Sequence, residues 1–564
     1  MSTTITSRFN VPVPSTDLLT YIFDSPWDER TPSWTDDQPL VVSAGDDDAP
    51  SCSFDKLKLL VKCFACGLSQ RARPGARVVI YGTLSTNLPT VLLGAIGAEA
   101  SCNICPAHPL AEAVERLRTV GADFVFFAPE HLGLMVAAAA EAGLLASQLF
   151  IVDDIDVSLT ETAQADGAVS HWSVLLDRQN GPSYLWRKLS PEEARTTTAL
   201  LTHTSGTTGL PKLAERTHYG LVGNIAQLLY RYHLKPRGGG PHRETWLCTF
   251  LYVGIGFILY GLLLPLKARY RTIVLPRFTP EAFMAAARKY QATALHVPKH
   301  HLQTLLLHAR GADFTTVTSL RTGGAMIPYR MCEEWMELHG SPCEVVCGMT
   351  EGGIRFASDP RVIETDGTIG ELLPNLEAKV VDLKEGRVLG RGEPGEICIR
   401  NPFIMKGYLG KVAETAAVFT EDGFIKTGDI GMVNESGRWY ILGRIKDMFK
   451  HGGNHVMAAE IELAILNHPD VLEVVVVPVK LESDDDEPVP RGYLVRKTGS
   501  SLTVQEFLHW MLTSLSARLQ LLAGVEFLDA LPVSSGGKID RNALREKAAQ
   551  DAQTEGLSQP CLLN

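Results

Sequence analysis

The chain is short of positive charge: 53 Lys and Arg stand against 64 Asp and Glu, a formal net charge of −11. No basic face for nucleic acid is expected, and an anionic substrate must be held by local groups. Met1 to Asp24 has no apolar core stretch and is interrupted by Pro12 and Pro14, so no secretory signal is expected. No internal repeat is evident, which argues against a solenoid. Cysteine is sparse, eleven in 564 residues, and reads as the reduced thiols of a cytoplasmic protein. Two Cys-x-x-Cys pairs raise the question of zinc. Cys63 and Cys66 fall in a helical pattern with Leu57, Leu60, Val61 and Phe64, so they pack as small apolar groups. Cys102 and Cys105 run into Pro106, and neither pair reads as a metal site. One uncharged run, Trp246 to Leu266, is long enough to cross a bilayer. Gly254, Gly256, Gly261 and Pro265 interrupt it, so a buried strand–turn–helix is the better reading and no membrane span is expected. The terminal Cys561-Leu562-Leu563-Asn564 only superficially matches a prenylation signal, because no polybasic stretch precedes it.

What the chain does have is length and alternation. A chain of 564 residues is too long for one core, so two or more domains are expected. Strand-like runs alternate with helix-like runs: Arg77–Tyr81 then Leu88–Ala98, Phe124–Phe127 then Leu132–Ala142. That alternation predicts βαβ units and an α/β class. Gly367 to Tyr408 instead carries short strands, Glu396–Arg400 among them, and predicts a small β-rich subdomain. Near Gly443 the pattern changes to a small α+β unit, with a helix over Val456–Asn467, a strand over Val471–Val479 and a helix over Val504–Leu519. Glu482 to Glu487 is a charge run that reads as a solvated loop, and the tail after Arg545 reads as disordered.

The densest chemical signal is Thr204-Ser205-Gly206-Thr207-Thr208-Gly209-Leu210-Pro211-Lys212. Gly lets backbone approach an anion, hydroxyls add donors, and Lys212 adds a charge. It is not the GxxxxGK[ST] phosphate loop, because Pro211 intervenes and no Ser or Thr follows the lysine. Alone it would be a Ser/Thr-rich turn. It is followed in order by Gly348-Met349-Thr350-Glu351, Thr427-Gly428-Asp429, Gly443-Arg444-Ile445-Lys446-Asp447 and Pro532-Val533-Ser534-Ser535-Gly536-Gly537-Lys538-Ile539-Asp540-Arg541.

Five such segments in this order resemble the adenylate-forming enzymes: acyl-CoA synthetases, firefly luciferase and adenylation domains, with the 4-coumarate–CoA ligase branch most similar. The resemblance runs from about Pro12 to about Leu544. It implies an α/β fold: a large N-terminal domain of mixed sheets flanked by helices, with the β-rich subdomain, over 1–442. A hinge at 443–447, a small mobile α+β domain at 448–545 and the tail at 546–564 would follow. It also implies an enzyme that adenylates a carboxylic acid with ATP and passes the acyl group to coenzyme A, with Mg²⁺ as the ion on the phosphates.

Residue by residue, the resemblance places Thr204, Ser205, Gly206, Thr207, Thr208, Gly209 and Lys212 around the phosphates of ATP. Gly324, Ala325, Cys347 and Gly348 would meet the adenine side, and Thr350 the α-phosphate. Glu351 is the expected carboxylate toward Mg²⁺. Asp429 would accept from the ribose hydroxyls, with Arg444 reinforcing it; a carboxylate suits a diol because it only accepts. Lys538, in a Gly-rich loop, would be the principal catalytic residue, bridging the attacking carboxylate and the α-phosphate. Lys446 maps to the hinge, and Arg277, Lys450, Gly452 and Gly453 to the coenzyme A path. Leu251, Tyr252, Val253, Gly324, Gly348 and Gly353 would line the acyl pocket, which suggests an apolar or aromatic acid.

The chain departs from the family at several of these places. Leu251 stands where relatives usually carry His, and Cys347 where an aromatic is usual. Leu213 replaces a usual Gly and Ala458 a usual Pro. Lys299-His300-His301 falls near the expected pocket wall; it reads as a solvated helix start, or else as a contact for a polar substrate group. Two other functions are weighed. One is an adenylating enzyme that loads a separate carrier protein, since no phosphopantetheine attachment segment is present. The other is a catalytically idle binding protein, against which Lys212, Glu351, Asp429, Arg444 and Lys538 all speak.

Overall fold

The computed structural model describes residues 4–24, 36–45, 50–82, 85–154, 169–204, 212–233, 244–249, 254–358, 367–451, 454–480, 488–521, 523–533 and 539–555. These residues fall into two compact units. One is built from residues 6–377 and 399–425, the other from 1–5, 378–398 and 426–564.

The larger unit contains two sheets. The seven-stranded sheet runs in the order Leu213–Thr217, Thr198–His203, Ser101–Cys105, Arg77–Tyr81, Phe124–Phe127, Leu149–Ile151, Ser170–His171. Its strands are parallel except the antiparallel pair at the Leu213–Thr217 edge. Arg77–Tyr81 and Phe124–Phe127 form as the apolar runs predict, because both faces of a parallel sheet are covered. The helix Leu132–Ala142 also matches its expected bounds, and Leu88–Gly97 stops one residue before Ala98.

The nine-stranded sheet has a parallel centre: Cys343–Met349, Ser319–Gly323, Ala294–Pro298, Thr245–Cys248, Arg271–Val274 and Pro39–Ser43. Gly353–Ala357 and Glu371–Leu372 extend one edge antiparallel, and Ser51–Ser53 the other. The core of this sheet packs Leu247, Ile273, Leu295 and Leu320 against the helices Pro280–Lys289, Lys299–His308 and Tyr329–His339 through Phe283, Leu305 and Trp335. The carboxyl ends of the parallel strands lead into Thr249, Pro298 and Gly324, the edge where ligands of open α/β sheets sit.

The uncharged run at 246–266 is a buried strand, Thr245–Cys248, followed by helical turns over Ile255–Ala268. No helix among the described residues is long and apolar enough to cross a membrane. Cys63 and Cys66 lie buried on the helix Phe54–Ser69, which starts on Ser53 as its cap. Cys102 and Cys105 belong to a strand, and burial pushes the Cys105 thiol up to about 12.

The second unit holds most of a five-stranded sheet, Ile5–Thr6, Glu377–Val381, Gly395–Arg400, Ile425–Val433 and Trp439–Arg444. This is the β-rich part expected from the Gly/Pro turns. A three-stranded sheet of Val471–Val479, Val489–Arg496 and Val525–Phe527 packs the helices Ala458–Ile465 and Val504–Ser514 on one face through Ile461, Phe507 and Met511.

Three expectations are corrected in this unit. Val456 and Met457 are the end of a strand, Asn454–Met457, paired with Met448–His451, so the helix begins only at Ala458. Val456 is β-branched and fits the pleat. The helix from Val504 ends at Ser514, and only a single tight turn, Ala517–Leu519, follows. The first part of the supposed tail, 546–555, is instead the end of a helix, Arg541–Glu555, while 556–564 lie outside the described residues; Leu544, Ala548 and Ala552, four apart, bury one stripe against Val475, Val477 and Tyr493. The charge run at 482–487 lies outside the described residues.

Candidate active site

In the larger unit the site is built on the hairpin neck of the Gly-rich segment. Strand Thr198–His203 leads into Thr204, and Leu213–Thr217 returns antiparallel from Lys212. Thr204 N–H donates to Lys212 O at 2.8 Å, and Lys212 N–H donates to Thr204 Oγ1 at 3.1 Å. The neck is therefore closed by two hydrogen bonds. Ser205, Gly206, Thr207, Thr208 and Gly209 lie outside the described residues.

Beside this neck stands the turn of a second hairpin, Cys343–Met349 and Gly353–Ala357, which presents Thr350 and Glu351. Gly353 has φ +73, and a Cβ there would lie 2.3 Å from Asn224 Oδ1, so the turn needs glycine at that point. Thr350 Oγ1 donates to His203 O at 3.3 Å, which ties the two hairpins together. Thr204, Lys212, Thr350 and Glu351 are thus brought into one cluster, as their sequence roles require.

Two residues absent from the sequence reading hold this cluster. Arg216 is wholly buried. Its guanidinium donates to Glu351 O at 2.8 Å, Thr350 O at 3.3 Å, Asn224 Oδ1 at 2.6 Å and Phe403 O at 2.9 Å. Burial lowers its pKa to about 10, partly offset by the Glu351 charge, so it stays cationic at neutral pH. Tyr408 is the other: its hydroxyl donates to Glu351 Oε1 at 2.7 Å, and Lys212 Nζ lies 4.9 Å from its ring centroid. The only sequence hint for either was position, Arg216 just past Lys212 and Tyr408 after Gly407.

His203 adds a neutral wall. Asn103 Nδ2 donates to Leu201 O at 2.8 Å, so Asn103 Oδ1 is the acceptor facing His203 Nε2 at 3.2 Å. That assigns the proton to Nε2. Burial, with Arg116 and His108 nearby, pushes its pKa down to about 3.

Gly324 and Ala325 lie exposed at the end of strand Ser319–Gly323, with Gly324 at φ +80. Cys347 is half-buried on its strand and accepts from Arg355 at 3.3 Å, while Gly348 lies next in the same strand. Arg277 is exposed beyond strand Arg271–Val274. Leu251, Tyr252 and Val253 lie outside the described residues. The Lys299-His300-His301 start is not a solvated one. The His301 ring stacks on Phe278 at 3.6 Å, its Nδ1 lies 2.8 Å from Thr249 Oγ1, and His300 packs edge-on at 4.2 Å. Stacking and burial outweigh solvation because both rings are half-buried and their pKa values are pushed down by burial.

In the second unit, Asp429 and Arg444 are opposite each other on adjacent antiparallel strands. Arg444 Nε lies 3.1 Å from Asp429 Oδ1. Asp429 is buried, and its N–H is held by Thr427 Oγ1 at 3.1 Å, which itself donates to Ile397 O at 2.7 Å. Glu396, read from the sequence only as the start of a strand, accepts from Gly428 N–H at 3.1 Å, and burial raises its pKa. Lys446 sits in a tight turn, Ile445–Asp447. Burial and the nearby Arg444 lower its pKa to about 8, and Arg545 secures the turn through Asp447 at 2.7 Å. Lys450 lies on strand Met448–His451, with its side chain outside the described residues, as are Gly452, Gly453 and Lys538.

Hydroxyl, ammonium and carboxylate groups gathered on two hairpins of an α/β unit are chemistry suited to an anionic ligand with a bound cation. The chain belongs to the AMP-binding enzyme family, whose pattern it matches over residues 29–409. A relative named probable 4-coumarate–CoA ligase 1, from Dictyostelium discoideum, is 30% identical over 508 residues, 86% of this chain and 88% of its own. One named phenylacetyl-CoA ligase epaB, from Aspergillus niger, is 27% identical over 549 residues, 95% and 98% of the two chains. The fold matches ATP-bound MatB from Rhodopseudomonas palustris with TM-score 0.80 at 22% identity, over 95% and 99% of the chains. It matches an anthranilate CoA ligase, AuaEII, bound to anthranoyl-AMP, with TM-score 0.81 at 18% identity, over 96% and 99% of the chains.

Proposed function

We propose that the protein is an ATP-dependent acid–thiol ligase that adenylates a carboxylic acid and passes the acyl group to coenzyme A, releasing AMP and pyrophosphate. The observation that carries this reading is the cluster of Thr204, Lys212, Thr350 and Glu351 on two hydrogen-bonded hairpins in an AMP-binding family chain. Relatives named as CoA ligases over almost their whole length support the choice of acceptor.

The reaction joins two anions, so the site must screen repulsion before the carboxylate attacks phosphorus. Lys212 supplies positive charge beside the phosphates, and the hydroxyls of Thr204 and Thr350 donate to them. Lys538 carries the charge that forms between substrate carboxylate and α-phosphate. Asp429, held by Arg444, accepts from the ribose diol and fixes the nucleotide. Lys446 is the proposed pivot in the segment 443–447, and Arg277, Lys450, Gly452 and Gly453 the proposed path of coenzyme A. Gly324, Gly348 and Gly353, with Leu251, Tyr252 and Val253, form the proposed acyl wall.

Mg²⁺ enters as part of the ATP substrate. Glu351 would offer it one carboxylate beside the neck of the Gly-rich segment. Mg²⁺ prefers one or two carboxylates plus phosphates and water over an all-protein cage. When bound it neutralises phosphate charge; Glu351 holds it in place. The cytoplasm is the proposed location, from the sparse cysteine of the chain.

The test is a panel of aliphatic, aromatic and dicarboxylic acids assayed for pyrophosphate release with and without coenzyme A. The reading expects at least one acid to give pyrophosphate, AMP and a thioester together. Adenylation that never yields a thioester from free coenzyme A would point to a carrier protein as acceptor.

A further inference from the structure

Two charged groups expected at the phosphates meet on one side chain that no nucleotide motif singles out. Tyr408 is buried; its hydroxyl donates to Glu351 Oε1 at 2.7 Å, and Lys212 Nζ stands 4.9 Å from its ring centroid. The lysine rests on the ring face instead of on the carboxylate.

The side chain is fixed by backbone. Tyr408 N–H donates to Thr415 Oγ1 at 2.9 Å. Residues 406–409 are zipped to the strand that begins just after Lys212: Glu215 N–H to Gly407 O and Lys406 N–H to Glu215 O, both 2.9 Å, and Leu409 N–H to Leu213 O, 2.8 Å. Met405 N–H meets Glu351 O at 2.7 Å. A phenol is protonated at neutral pH and a carboxylate only accepts, so the hydroxyl is the donor in this bond.

A carboxylate and an ammonium that both rest on one side chain would gain Coulomb energy by pairing directly in a half-buried site. Each would then be lost to an incoming nucleotide: the ammonium to the phosphates, the carboxylate to the metal. We propose that Tyr408 is a positioning residue that keeps Lys212 and Glu351 apart. Its hydroxyl orients the carboxylate by bonding Oε1 alone, and its ring face parks the ammonium. This rests on the ligase reading above.

The test uses the full chain and separates nucleotide binding from turnover. ATP binding is measured by calorimetry across a Mg²⁺ series, without acid, and pyrophosphate release is measured with a productive acid. Tyr408→Phe keeps the ring and removes the donor. It should raise the Mg²⁺ needed for half-maximal ATP binding by about tenfold, the scale of one hydrogen bond to a charged group, and leave the acid KM within about twofold. Tyr408→Leu also removes the ring, lets Lys212 collapse onto Glu351, and should weaken ATP binding without Mg²⁺ as well. In a Glu351→Gln background, Tyr408→Phe should add nothing to the Mg²⁺ shift.

An unchanged Mg²⁺ dependence in folded Tyr408→Phe overturns the proposal, as does a shift that persists undiminished with Glu351→Gln. Should Tyr408→Phe fail to fold, Glu351→Asp, which draws the carboxylate back from the phenol, must show the same Mg²⁺ shift or the proposal falls. If the wild-type chain binds MgATP yet no acid yields pyrophosphate, the ligase reading fails while the binding titrations still decide the role of Tyr408.

Discussion

Arg216→Met tests whether the hairpin turn carrying Thr350 and Glu351 is held from beneath. The guanidinium satisfies four oxygens, and the fates of these oxygens differ once it is gone. Glu351 O keeps Met405 N–H at 2.7 Å, and Thr350 is half-buried, so water can reach it. Asn224 Oδ1 and Phe403 O lose a donor inside the core. Each buried acceptor left without a donor costs about 1–3 kcal/mol, while the charge no longer has to be buried, so a net loss of about 3 kcal/mol is expected. Urea unfolding monitored by tryptophan fluorescence measures it through the midpoint at constant slope. Pyrophosphate release should fall by well over tenfold under conditions where the variant remains folded, because Glu351 loses its fixed backbone. Arg216→Lys should recover part of the stability but little of the activity, since three donors cannot reach four oxygens in a plane. A loss below about 1 kcal/mol, or wild-type activity in Arg216→Met, would refute the reasoning.

Asp429→Ala should raise the KM for ATP and leave that for the acid nearly unchanged, because the proposed contact to the ribose diol is lost; steady-state kinetics in both substrates checks this, and a shift in the acid KM alone contradicts it. Lys538→Ala should nearly abolish adenylate formation yet spare thioester formation from a supplied acyl adenylate; equal loss of both halves in folded protein would contradict a role for Lys538 in adenylation alone. Acid should destabilise the larger unit early. His108 and His218 are buried and His203 half-buried, with pKa values lowered from 6.5 to about 4, about 4 and about 3 respectively, mainly by burial. The unfolded chain therefore binds more protons than the folded one between those limits. Their contribution is complete above the unfolded value of 6.5 and is lost as pH falls toward about 4. Melting temperature measured over that range should drop steeply, and His218→Gln should flatten the slope; a flat profile in the wild type contradicts the buried neutral assignment.

Sequence pattern found the elements whose faces are simple. Arg77–Tyr81, Phe124–Phe127 and Val471–Val479 read correctly because continuous apolar runs of that length fit buried strands. The last helix escaped notice because its apolar stripe is only Leu544, Ala548 and Ala552, narrow against many polar residues. Val456 misled because a β-branched residue next to a helical pattern is decided by its partner Phe449, 7 positions away in the chain. At the site, Thr204, Lys212, Thr350 and Glu351, which the structure brings together, were legible as a group, since Gly, Thr, Lys and Glu in motif order carry their own chemistry. Arg216 and Tyr408 were not, because their role depends on partners 135 and 57 residues distant. Periodicity cannot report such contacts.

The most direct measurement of the central claim is the mass-spectrometric product of the chain with ATP, Mg²⁺, free coenzyme A and a panel of carboxylic acids. The account predicts an acyl-CoA thioester, with AMP and pyrophosphate formed in equal amount, for at least one acid, and none of the three without ATP. Absence of both AMP and thioester across the panel, from protein shown by calorimetry to bind MgATP, would contradict it.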